Sequence, residues 1–232
     1  MKENSRVKPP FFNIGPKAYA YGEDLLEIAR AADKLSHKYN VDVILTPQPC
    51  DIRLVAEKTE NLFVFAQHVD PLEPGRGHGH ILPEAVASAG AQGTFLNHGE
   101  KPLSLSEISQ AVKRASEAGL ETVVCTDTVE EAAAVSNFNP DIVLAERTEL
   151  IGTGETSEED YVKEAISAVK KVNSRVKILH GGGISSGEDV KKFIKAGADG
   201  IGASSGIMEA NSPPKKIEEM LKAVRRAREA KG

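Results

Sequence analysis

Eight short apolar runs recur along this chain at nearly regular intervals, and no other feature limits its possible folds so strongly. They lie at residues 10–14, 41–46, 62–67, 93–97, 121–126, 141–145, 176–179 and 200–203. Spread over 232 residues, the repeat averages 29. The runs are rich in Val, Ile, Leu and Phe with little polar alternation, as strands buried on both faces should be. Helical stretches fall between them. Residues 24–38 set Leu25, Leu26, Ile28, Ala29, Ala32 and Leu35 on one stripe. Residues 104–118 open with Ser104 and have Glu107 three positions on, a capping-box signal. Residues 157–172 begin with Ser157 as the expected cap and acids in the first turn. Residues 186–196 stop at Gly197, and a last helix starts at Ser212–Pro213. Weaker helical patterns fit 51–57, 83–88 and 128–135.

Eight strand–helix units of this length imply an α/β chain folded as a closed (β/α)8 barrel, a TIM barrel, with residues 1–232 as one domain. The alternative is an open doubly wound sheet. That fold usually has fewer strands and a glycine-rich turn after the first, whereas here the glycines cluster after the seventh and eighth runs. No linker or low-complexity segment divides the chain, and the repeat is architectural rather than one of sequence identity.

Composition narrows the class of partner. Acids number 34 against 29 bases, a net charge of −5, which argues against nucleic acid as a partner. Backbone amides can hold a small anion whatever the net charge. Cys50 and Cys125, 75 positions apart, make neither a disulfide framework nor a zinc pattern and fit a reducing compartment. No apolar run approaches the roughly 18 residues of a membrane span. Residues 1–10 hold no hydrophobic signal core, so a cytoplasmic protein without membrane contacts is expected.

In such a barrel the chemistry sits where strands end and the following loops begin. The first strand leads to Asn13 and then Lys17. The fourth leads to Asn97-His98-Gly99-Glu100, and the sixth to Glu146 and the run ending Gly152-Thr153-Gly154. The seventh enters His180-Gly181-Gly182-Gly183, and the eighth enters Ser204-Ser205-Gly206. The glycine- and serine-rich turns suit a phosphate cup at Gly152, Gly183, Ser204, Ser205 and Gly206. A carboxylate at one strand end can take a proton beside a carbonyl. A His or Lys opposite can stabilise the oxygen that becomes negative. Those groups suit isomerisation of a small phosphorylated sugar through an enediolate, a reaction that calls for no cofactor and no metal.

Taken together, Thr46-Pro47-Gln48, the run from Phe65 to Asp70, Gly79-His80, Leu96-Asn97-His98, Val123-Val124-Cys125, Glu149 to Gly154 and Gly183 to Asp189 resemble the triosephosphate isomerase family in its short archaeal form. The resemblance spans nearly the whole chain. It implies interconversion of dihydroxyacetone phosphate and glyceraldehyde 3-phosphate without a cofactor, by a homodimer or homotetramer. It implies Glu146 as catalytic base and His98 as neutral electrophile, the family's known pairing. It also implies that Asn13 and Glu100 belong to the site, and that Glu146 to Gly154 form a mobile lid. Cys125 matches a family cysteine near the base, and burial as a small hydrophobe is the expected role.

Four departures cluster around the chemistry. Gly15 and Pro16 add two residues before Lys17, which would either loop out and restore the ammonium position or move it away. Gly99 replaces the serine that usually follows the histidine, Arg147-Thr148 stands where a hinge proline is usual, and the segment after Gly154 is short and acidic. The alternatives are a paralogue isomerising another small phosphorylated sugar, or a barrel that binds a phosphate ligand without catalysis. His68 is expected to be structural, and His78 and His80 to lie in an intersubunit loop rather than on a metal. His180 receives no chemistry. The basic stretch from Lys222 to Arg228 reads as a solvated helix face.

Overall fold

The computed structural model describes residues 6–230. Its strands are β1 (Phe11–Ile14), β2 (Val43–Leu45), β3 (Leu62–Ala66), β4 (Gly93–Leu96), β5 (Glu121–Thr126), β6 (Ile142–Ala145), β7 (Lys177–His180) and β8 (Gly200–Ala203). All eight pair in parallel and in chain order, with β8 returning to β1 to close the barrel. The open-sheet alternative is thereby set aside. The helices are α1 (Gly22–Tyr39), α2 (Ile52–Lys58), α3 (Pro83–Ser88), α4 (Leu105–Glu117), α5 (Val129–Ser136), α6 (Glu159–Val172), α7 (Gly187–Ala196), α8 (Ser205–Met208) and α9 (Pro213–Glu229).

The apolar strands serve two cores because successive side chains leave opposite faces. Phe11, Ile44, Phe65, Phe95, Val123, Ile142, Leu144 and Leu179 fill the barrel interior. Their neighbours, among them Phe12, Ile14, Val43, Leu45, Val64, Val124, Val143 and Ile178, pack outward under the helices. This parity decides which residue at each strand end reaches the barrel axis.

Capping follows local chemistry. Ser104 and Glu107 form the reciprocal bonds of a capping box at α4, and Ser186 with Asp189 does the same at α7. Gly197 ends α7 at φ 112°, a left-handed conformation that glycine adopts without a Cβ penalty. Ser157 does not cap α6: Glu158 precedes that helix, and the buried Ser157 Oγ has no hydrogen-bond partner. The chain turns the serine inward instead. The strand over 41–46 is shorter than its apolar run, because Val41 and Thr46 are buried without belonging to the β2 segment. The seventh strand runs one residue further, to His180. On α9, Arg225 and Arg228 donate to the carbonyls of Tyr39 and Asn40, so part of the basic face holds the end of α1.

Candidate active site

Parity brings Glu146 inward. Ile142 and Leu144 lie in the barrel interior, so residue 146 continues the same face one layer higher, toward the axis. Gly181 and Gly182 admit it. A Cβ built on Gly181 would stand 2.6 Å from Glu146 Oε1, closer than real contacts allow. The Gly182 N–H donates a hydrogen bond to the Glu146 carboxyl. Burial pushes that carboxyl up from an ordinary 4.5 to about 7. The Lys17 ammonium acts against the rise, and the Glu100 carboxylate adds to it.

His98 leaves the end of β4 after Asn97, which takes a left-handed turn at φ 57°. The Asn97 amide donates to the Cys125 carbonyl at 2.9 Å and accepts from the Leu103 N–H at 2.8 Å, fixing the loop at both ends. His98 Nε2 lies 3.6 Å from Glu146 Oε2. The Glu100 N–H donates to His98 Nδ1 at 3.1 Å. An accepting Nδ1 leaves the proton of a neutral ring on Nε2, the nitrogen that faces the carboxyl. Burial, with Lys17 as a second cause, holds the ring below its ordinary value and so keeps it neutral at pH 7.

Lys17 Nζ reaches Glu100 Oε1 at 3.1 Å, beside His98. Its backbone is in the left-handed region at φ 45°, a conformation of low population for a long side chain. Gln67 and Gln48 donate to the Lys17 carbonyl at 2.9 and 3.3 Å, and Gln67 also donates to the Thr46 carbonyl at 2.9 Å. Two glutamines from the ends of β2 and β3 thus hold the turn that presents the ammonium. Both belong to quoted motifs, but their spacing from Lys17 in sequence carries no hint of this contact.

These groups share one cavity of about 790 Å³ at the C-terminal mouth of the barrel. Asn13, Lys17, His98, Glu100 and Glu146 line it, together with Gly152, Gly183, Ser204 and Ser205. Gly206 is not among its lining residues; a Cβ there would overlap the Ile184 carbonyl oxygen. Gly183 is at φ 68°, and a Cβ on it would overlap the Glu155 carbonyl oxygen. That position therefore accepts only glycine, and it brings the β7 loop against the backbone of Glu155. Ser204 precedes the four-residue α8, too short for its periodicity to be read from sequence.

The segment expected to form a lid lies against this mouth. Thr148 to Leu150 form one tight turn, the Thr148 N–H donates to Asp127 Oδ1 at 2.6 Å, and Ile151 and Gly152 reach the cavity. Cys125 is buried in the barrel interior, and its thiol is pushed well above its ordinary value by burial and by Glu146. It is a small core side chain rather than a nucleophile. His68 is buried, lines the cavity and bonds Asp70 through Nε2 at 3.2 Å, while the exposed His80 meets the same carboxylate at 3.3 Å. Among the described residues, no group of three or more His, Cys, Asp or Glu side chains is disposed to hold a metal. No helix there is long and apolar enough to cross a membrane.

Known proteins resemble this chain in sequence and in fold. A family model described as triosephosphate isomerase matches residues 16–224. The chain is 41% identical over 217 residues to a triosephosphate isomerase of Methanothermus fervidus, covering 91% of this chain and 97% of that protein. It is 40% identical over 231 residues to that of Sulfolobus acidocaldarius, covering 97% and 100%. A solved triosephosphate isomerase from Bartonella henselae superposes with a TM-score of 0.75 at 16% identity, over 95% of this chain and 99% of that one, a likeness of fold.

Proposed function

The chain belongs to the triosephosphate isomerase family, and from that premise we propose how its residues divide the work of interconverting dihydroxyacetone phosphate and glyceraldehyde 3-phosphate. Membership makes it an isomerase of a phosphorylated triose. The roles below are our reading of the site. Pairing a Glu base with a neutral His electrophile is the family's own known pattern.

Glu146, ionised, takes a proton from the carbon beside the carbonyl. The electrons move through the new carbon–carbon double bond onto the carbonyl oxygen, giving an enediolate. His98 Nε2–H donates to that oxygen as its charge grows. The proton of the neighbouring hydroxyl passes to that oxygen by way of His98, which gives Nε2–H and is reprotonated, while the protonated Glu146 returns its proton to the adjacent carbon, so protons and electrons balance within the substrate. Lys17 adds positive charge beside the same oxygen, and Glu100 holds Lys17 while its N–H selects the His98 tautomer. Asn13 walls the cavity at β1. Gly152, Gly183, Ser204 and Ser205, which line the cavity, supply the turns whose amides receive the phosphate, and Gly206, set back against Ile184, only lets the last turn close. Lid closure excludes water from the enediolate.

The observation that carries this reading is the Glu146–His98 pair, Nε2 and Oε2 3.6 Å apart over one cavity. An assay of dihydroxyacetone phosphate conversion tests it, with inorganic phosphate as a competitor. Turnover that phosphate inhibits and that Glu146→Gln abolishes supports the reading. No turnover of either triose phosphate would refute it.

The same reading takes residues 1–232 as one barrel domain and the protein as cytoplasmic. It takes the working form as a homodimer or homotetramer. The largely exposed loop from Gly75 to His80 and the exposed Tyr19 and Tyr21 support the oligomer by offering surface for a second copy.

A further inference from the structure

His180, the last residue of β7, faces away from the catalytic cavity. Strand parity turns it outward, under the helices, between Phe193 of α7 and Tyr161 of α6, with ring centroids 4.3 and 6.5 Å away. It is completely buried. Its Nδ1 lies 2.9 Å from the Ala145 carbonyl oxygen. A carbonyl only accepts, so Nδ1 must carry the proton, and Nε2 is left as a bare lone pair. That Nε2 is buried with no hydrogen-bond partner.

A buried acceptor without a donor is costly, and a phenylalanine would fill this apolar space without that cost. The imidazole therefore earns its place through its other nitrogen, whose single contact is the carbonyl immediately before Glu146. Burial drives its ionisation down to about 4, so the ring is neutral and keeps this donor throughout the range in which the enzyme would work. We propose that His180 is a positioning residue for Glu146, its Nδ1–H holding the Ala145 carbonyl so that the next residue's carboxyl keeps its place opposite His98.

The surroundings fit that role. Ala145 ends β6, and the lid departs directly after Glu146, so any opening of the lid pulls on this peptide. The Arg147 guanidinium lies over the Tyr161 ring at 5.4 Å. Tyr161 Oη donates to the Asp127 carbonyl at 2.8 Å, and the Asp127 carboxylate accepts from Thr148. His180 pins the chain just before the base, while Tyr161 and Asp127 brace the two residues just after it. Glu146 is thereby held from both sides on the rigid wall.

This inference rests on Glu146 being the base, and Glu146→Gln with unchanged turnover would remove that footing separately. His180→Phe keeps the ring and loses the donor; His180→Asn keeps an N–H at the same reach. Because a displacement of about 1 Å can cost roughly 100-fold, His180→Phe is expected to lower kcat by about 10- to 100-fold. KM and inhibition by inorganic phosphate should stay within twofold or so, and His180→Asn should recover most of kcat. A kcat within twofold for His180→Phe overturns the proposal, as does a loss that tracks thermal stability and that His180→Asn does not restore. Nitrogen-15 NMR of the histidine-labelled wild-type chain decides the contact without any variant. A proton on His180 Nδ1 from pH 6 to 9 supports it, and a proton on Nε2 overturns it.

Discussion

Replacing Glu146 by Gln should make the protein more stable as it makes it inactive, and only above a definite pH. The carboxyl is buried, and its pKa rises from 4.5 to about 7 in the folded chain. In the unfolded chain it ionises near its ordinary value. A raised carboxyl pKa means that the fold favours the protonated form. The contribution is fully present below about pH 4.5 and is lost as pH rises through 7. Above pH 7 the fold carries an ionised carboxylate at a cost of about 3 kcal/mol, taking about 1.4 kcal/mol per tenfold in acidity. Glutamine has nearly the same shape and no charge to bury. Glu146→Gln should therefore match wild type near pH 4.5 and exceed it by about 3 kcal/mol at pH 8. For a chain of this size that is a rise of roughly 6–12 °C in the unfolding midpoint. Turnover should fall by at least about 10³-fold, in the range that loss of a general base produces. Thermal denaturation followed by circular dichroism from pH 4.5 to 8.5, beside the triose phosphate assay, reads both effects. A stability gain equal at both ends of that range, or no gain at pH 8, would refute the reasoning about burial.

Further expectations follow from the same contacts. Wild-type kcat/KM should fall about tenfold per pH unit below roughly pH 7, because only ionised Glu146 can act as base; a flat profile down to pH 5.5 would contradict this. Lys17→Ala should reduce kcat/KM by about 100-fold while moving stability by less than about 1 kcal/mol. The Lys17–Glu100 pair is partly open to solvent and such pairs contribute little to the fold. Gly181→Ala pushes a methyl to 2.6 Å from Glu146 Oε1. It should lower kcat by at least about tenfold with circular dichroism unchanged. Gly99→Ser puts its Cβ 2.9 Å from Thr148 Cγ2. It should disturb the lid's first hinge and lower turnover, and adding Thr148→Ala should restore part of the loss, which a double-mutant cycle would measure.

The architecture was legible because a parallel barrel strand is buried on both faces and so writes itself as an unbroken apolar run. All eight runs became strands, and Glu146, His98 and Asn13 stand at strand ends, where the chain pattern alone gives their height in the barrel. Strand limits were less legible, since burial continues past the β2 segment at Val41 and Thr46. Ser157 failed as a cap because a turn can bury a serine as readily as present it, and the composition of the turn is the same either way. The reach of Lys17 was beyond sequence reasoning. It depends on Gln48 and Gln67, brought to its carbonyl from two other strands by closure of the barrel. His180 was passed over for a similar reason: a histidine ending an apolar strand gives no sign of which carbonyl its ring will meet. Gly99 and Thr148, far apart in the sequence, lie against one another in the fold, a contact their spacing does not announce.

The most direct test of the account is conversion of dihydroxyacetone phosphate by the wild-type chain in deuterium oxide, with proton NMR of the glyceraldehyde 3-phosphate formed. A carboxylate that takes a proton and returns it to the neighbouring carbon exchanges with solvent while it holds that proton. The account predicts product carrying deuterium at the carbon beside the aldehyde, and none formed by Glu146→Gln. Product made at an undiminished rate with no deuterium at that carbon would contradict it.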